Sequence, residues 1–93
     1  MSKKRNKLEI IRDILEVINA RSGRIKPTHI MYKSNLSHQM MEEYLKELKD
    51  KGFITEGKLG RGKTYFVTDK GRKYLQEYRT IIEFADNFGF GGE

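Results

Sequence analysis

Apolar residues recur at Leu8, Ile11, Leu15 and Ile18, with Ile10, Ile14 and Val17 beside them. A stripe of that period predicts a first helix over Lys7 to Ala20. Asn6 is placed to cap it, and Arg21-Ser22-Gly23-Arg24 to end it. Pro27 suits the first turn of a second, short helix, where its missing amide hydrogen would have no helical partner anyway. That helix carries Ile30 and Met31 inward and ends near Ser34. After the brief polar break Ser34-Asn35-Leu36, Ser37 caps a third helix with Met40, Tyr44, Leu45 and Leu48 on its inner side, stopped by Gly52. Met41, between the two faces, is expected to pack. Helices joined by so short a turn must cross steeply, as in a helix-turn-helix.

The period then changes. Phe53 to Leu59 and Lys63 to Val67 are rich in β-favouring residues and flank Gly60-Arg61-Gly62, which predicts a hairpin with a basic tip. Thr68 caps a fourth helix that begins at Asp69. The expected fold class is mainly α with a small β-hairpin, in the order helix, helix, helix, hairpin, helix, which is a winged helix-turn-helix. The chain divides into a basic flexible arm (1–6), a winged-helix domain (7–68), a C-terminal helix (69–87) and a flexible tail (88–93).

Charge sharpens this picture. The chain of 93 residues carries a net +6, and the excess lies in two segments. Lys3, Lys4, Arg5 and Lys7 form one, and Lys58, Arg61, Lys63, Lys70, Arg72 and Lys73 the other, while residues 8–57 balance eight cations against eight acids. Clustering of one sign points to a polyanion, nucleic acid before membrane. No apolar run approaches the roughly 20 residues of a membrane span, and none follows the Lys-rich start as in a signal peptide. A cytoplasmic, nucleoid-associated protein is expected. There is no cysteine, and the only histidines, His29 and His38, lie on different helices without a carboxylate cluster. No catalytic, metal or cofactor role is therefore assigned, and an enzyme is not expected. Tyr32, Tyr44, Tyr65 and Phe66 are assigned to core or sheet-face packing.

The stretch IMYKSNLSHQMMEEYLKELKDKGFI at residues 30–54, followed by YFVTDKGRKYLQEY, resembles a family of small archaeal winged-helix DNA-binding proteins. That family includes predicted transcriptional regulators and the crenarchaeal dimeric chromatin-associated proteins. The resemblance covers about residues 7–83 and implies a binder of double-stranded DNA that pairs through its C-terminal helix. Three functions are carried forward: a sequence-preferring transcriptional regulator, an architectural chromatin protein with little sequence preference, and a winged-helix protein-interaction module.

In a helix-turn-helix the outward, N-terminal side of the second helix enters the major groove. Within helix 37–51 that side offers Ser37, His38, Gln39 and Lys46 as DNA contacts, with Glu42 and Glu43 left open between contact and a solvated face. The wing, residues 58–63, offers Lys58, Arg61 and Lys63 to the backbone or minor groove. Lys3, Lys4 and Arg5 are expected to meet phosphates. In the last helix, Tyr74, Tyr78, Ile81, Ala85 and Phe88 recur at spacings of four and three residues, with Ile82 alongside. That seam predicts a homodimer through Tyr78, Ile81, Ile82, Ala85 and Phe88.

Overall fold

Helix starts are set by local chemistry. The Asn6 side chain accepts from the Glu9 amide while the Glu9 carboxylate accepts from the Asn6 amide, a complete capping box on α1 (Lys7–Arg21). The second helix, α2 (Pro27–Lys33), opens on its proline, and α3 (His38–Asp50) is capped by the Ser37 hydroxyl, which accepts from the Met40 amide. Thr68 does the same for the Gly71 amide at the head of α4 (Asp69–Asn87). Between α3 and α4, strands β1 (Ile54–Leu59) and β2 (Gly62–Val67) pair antiparallel, with Ile54 opposite Val67 and Leu59 opposite Gly62. The computed structural model describes residues 5–90.

The core lies between α1, α3 and one face of the hairpin. Ile14, Leu15 and Ile18 of α1, Leu48 of α3 and Ile54 of β1 are enclosed, with Ile30 of α2 beneath them. The other face of the hairpin receives the loop between α1 and α2, where the Ile25 amide donates to the buried Thr64 hydroxyl at 3.1 Å. That loop turns through left-handed Ser22 and Gly23, and the Phe66 ring occupies the space where a Cβ on Gly23 would lie. Both strand faces are thus committed, and the hairpin is held at its base.

Several expectations are corrected. Met40 is exposed and Met41 takes the inward place, because the turn of α3 sets position 41, with Leu45 and Leu48, on its buried side. Tyr32 is 76% exposed and does not pack in the core. It lies on the outer face of α2, and Ile30 fills the inner one. Leu8 is likewise exposed, lining a surface depression with Phe53, Tyr74 and Tyr78 instead of entering the core. The wing tip is shorter than expected: Gly62 belongs to β2, leaving a two-residue turn, Gly60-Arg61, with Gly60 at φ +61°.

The first half of α4 is anchored. Gly71 is buried against the Phe53 carbonyl and Val67, the Tyr74 hydroxyl donates to the Leu8 carbonyl at 2.8 Å, and the Arg12 guanidinium stands 5.0 Å above the Tyr78 ring. The second half leaves the body, and Ile81, Phe84 and Phe88 are about two-thirds exposed. At its end the Phe90 amide donates back to the Ala85 carbonyl, and the Phe84 and Phe88 rings lie 4.9 Å apart, tilted by 39°.

Candidate nucleic-acid interface

The outward side of α3 carries a row of polar side chains, each tied to an acid one turn on. Gln39 donates to Glu43 at 3.1 Å, Lys46 to Asp50 at 2.9 Å, and His38 lies 3.8 Å from Glu42. Helical spacing produces these pairs, since positions four apart share a face. Exposed pairs of this kind hold their members weakly, so a base edge or phosphate competes for them at small cost. The Ser37 hydroxyl accepts the capping bond with one lone pair, leaving its O–H to donate one hydrogen bond and its second lone pair to accept another.

A cleft of about 410 Å³ separates α3 from the hairpin. His38, Glu42 and Lys46 form one wall, Glu56 and Lys63 the other, and Thr28 closes one end. Glu56 accepts from Lys49 at 3.1 Å and stands 3.9 Å from Lys63. The Lys49 hydrogen bond holds the Glu56 carboxyl below its ordinary range and raises Lys49 in turn. Behind α3, Glu47 accepts from Lys51 at 2.8 Å and Lys7 at 2.9 Å, and the two bonds bring its pKa down to about 2. This fork ties the start of α1 to α3. At the hairpin's outer end Lys58 sits opposite Lys63, and neither Lys58 nor Arg61 has an ion-pair partner among the described residues.

The expected site residues divide accordingly. Ser37, His38, Gln39 and Lys46 share the outer side of α3, Lys63 faces them across the cleft, and Lys58 and Arg61 extend that surface at the wing. Arg5 departs from the expectation of a free arm. It donates to Asp13 at 2.6 Å and to the Asn35 carbonyl at 3.0 Å, clamping α1 to the turn between α2 and α3. Lys3 and Lys4 lie outside the described residues. Tyr78 and Ala85 are half-buried on α4, while Ile81, Ile82 and Phe88 are open to solvent.

Residues 4–86 match the winged helix-turn-helix family. The chain belongs to that family. Among solved structures, the winged helix resembles Sso10a-2, a DNA-binding protein from Sulfolobus solfataricus, with TM-score 0.75 and 24% identity over 90% of this chain and 85% of that one. It also resembles a MarR-family transcriptional regulator from Rhodococcus sp. RHA1, with TM-score 0.73 and 15% identity over 86% of this chain and 58% of that one. At these identities the likeness is one of fold. A segment of 47 residues is 40% identical to a riboflavin kinase from Cenarchaeum symbiosum, and the chain spans about a quarter of that protein's length. Among the described residues no group of acids and histidines could hold a metal, and no helix is long and apolar enough to cross a membrane.

One cluster on this winged helix escaped sequence reasoning. Arg21, Arg24, Lys26 and Lys33 surround a depression of about 580 Å³ with His29 and Tyr32, and Leu59 of the wing forms its rim. The signal was present but diluted. Residues 17–41 hold these four cations and no acid, while the wider balance over residues 8–57 sums to zero.

Proposed function

We propose that the protein is a double-stranded DNA-binding transcriptional regulator that places α3 in the major groove and the β1–β2 turn on the backbone or minor groove. The observation that carries this is the cleft between a Ser37-capped helix with outward Gln39 and Lys46 and a hairpin ending in Lys58 and Arg61, which have no ion-pair partner among the described residues. Gln39 has the amide needed for adenine, and Lys46 the cation for guanine or phosphate. The DNA-binding description of Sso10a-2 and the regulator description of the Rhodococcus protein support this reading.

The protein acts as a homodimer through α4, within the nucleoid. In support, Ile81 is 64% and Phe88 64% exposed on one stripe, an apolar surface of the kind that marks an interface. The helix is also mildly polarised: Asp69, Lys70, Arg72, Lys73 and Glu77 give its first half a net +1, and Arg79, Glu83 and Asp86 give its second a net −1. An antiparallel crossing near Ile81 sets Arg79 of one copy against Glu83 of the other and arranges two α3 helices by a two-fold axis.

A second reading, an architectural protein with little sequence preference, is favoured by the pairing of Gln39 and Lys46 to acids while the unpaired cations lie off α3. Affinity for random duplex and for a selected sequence pool, measured over a salt series, separates the two. A regulator selects a consensus, and Gln39→Ala then costs about 1–3 kcal/mol on that sequence and little on random DNA. Uniform, salt-sensitive binding makes the protein architectural, and absence of binding at low salt overturns both.

A further inference from the structure

The depression bounded by Arg21, Arg24, Lys26, Lys33, His29 and Tyr32 lies outside the cleft between α3 and the wing, yet Thr28 lines both. The two surfaces are therefore contiguous around the start of α2. Their cations differ in state. Lys46, Lys49 and Lys63 of the cleft are each paired with an acid, whereas Arg21, Arg24, Lys26 and Lys33 have no ion-pair partner among the described residues. Their nearest polar relation is internal, Arg21 standing 3.4 Å from the His29 ring. Tyr32, the most exposed tyrosine described, sits among them with no packing role of its own. Uncompensated cations around an exposed tyrosine match what sugar-phosphate backbone receives from proteins: Arg and Lys on phosphate oxygens, and Tyr on phosphate or sugar.

We propose that this α1–α2 patch holds the backbone of the same duplex beyond the segment seated in the α3–wing cleft, extending the footprint of each subunit. The inference rests on the DNA-binding reading above. Continuity through Thr28 selects one duplex over two, because a track joined to the cleft receives the neighbouring phosphates as soon as the cleft is filled. Arg24 and Lys26, beside that junction, take the first of these, and Lys33 and Arg21 the next. The contacts carry no base readout, so they add affinity and salt dependence without changing the preferred sequence.

The test is fluorescence anisotropy with random duplexes of about 12 and about 40 base pairs, the shorter just exceeding the roughly 10 base pairs of one helical turn. Three proteins are compared over a salt series: wild type, Arg24→Gln with Lys26→Gln and Lys33→Gln, and the charge-preserving Arg24→Lys with Lys26→Arg and Lys33→Arg. On the long duplex the neutral triple variant should bind about tenfold or more weakly at low salt, its log–log slope falling by up to about 0.9 per cation removed. On the short duplex, which reaches fewer of these cations, the loss of slope should be smaller, and the charge-preserving variant should match wild type on both. If the triple variant melts early, the three single Gln variants are read instead, each expected to lose up to about 0.9 of slope on the long duplex and less on the short one. Unchanged binding on the long duplex overturns the proposal while leaving the cleft reading intact, and equal loss on both lengths reduces the patch to a net-charge effect. A variant that keeps its affinity but no longer captures a second duplex on beads assigns the patch to bridging and overturns the single-duplex track. Failure of wild type to bind either duplex overturns the DNA reading itself.

Discussion

Two lysines converge on Glu47, one from the first turn of α1 and one from the end of α3. The carboxyl is depressed from 4.5 to about 2, so folding favours its charged form. The sign follows from linkage. A group whose folded pKa is lowered contributes stability that is fully present above its unfolded value and lost as pH falls through the folded one. The wild-type melting temperature should therefore exceed that of Glu47→Gln at pH 7, and the gap should close between pH 4.5 and about 2. A gap constant across that window would show that the Lys7–Glu47–Lys51 fork contributes nothing through charge. At this scale the capping residues Asn6, Ser37 and Thr68 were legible in the sequence because donor and acceptor lie within three residues of each other. The fates of Arg5, Tyr32 and Met40 were not. Each depends on where a distant element lies, as when Arg5 reaches the Asn35 carbonyl.

Elements are positioned by a few close approaches. Gly71 lets α4 pass against the end of the α3–β1 connection, and a Cβ there would collide with the Phe53 carbonyl and Val67. Gly71→Ala should cost about 1–3 kcal/mol, the range of overpacking, even though alanine is the better helix former. Chemical denaturation measures this, and a neutral or stabilising change would mean that α4 shifts freely. The hairpin can be tested as a unit. Arg61→Ala with Lys63→Ala should weaken duplex binding and flatten its salt slope by up to about 1.8, two phosphates' worth. An unchanged slope in the folded double variant would take the wing off the DNA. Element order was readable because the apolar period switches between helix and strand at Phe53 and back at Thr68. The two-residue turn was less readable, since Gly62 serves equally in a tip or as the first residue of β2, and only the pairing with Leu59 decides.

On the scale of the whole molecule the distribution of unpaired charge matters more than its sum. Pairing removes α3's cations from the free surface, and those without an ion-pair partner among the described residues lie at the wing, at the α1–α2 corner and on α4 at Lys70, Lys73 and Arg79. Linear segments hid this, because the acids that neutralise residues 8–57 lie outside residues 17–41. The second half of α4 supplies the remaining exposed feature of a molecule measuring 48 × 32 × 21 Å overall. Ile81→Glu with Ile82→Glu should convert the proposed dimer to an 11.0 kDa monomer in sedimentation equilibrium while leaving the winged-helix core folded. A single monomeric species in wild type and variant alike would end the dimer reading. The central claim is that the face formed by α3 and the wing meets duplex DNA, and amide chemical-shift mapping during a duplex titration at low salt tests it most directly. The largest changes should fall on residues 37–46 and 58–63, with α4 beyond Arg79 unaffected. Changes confined to α4, or none at all, would contradict it.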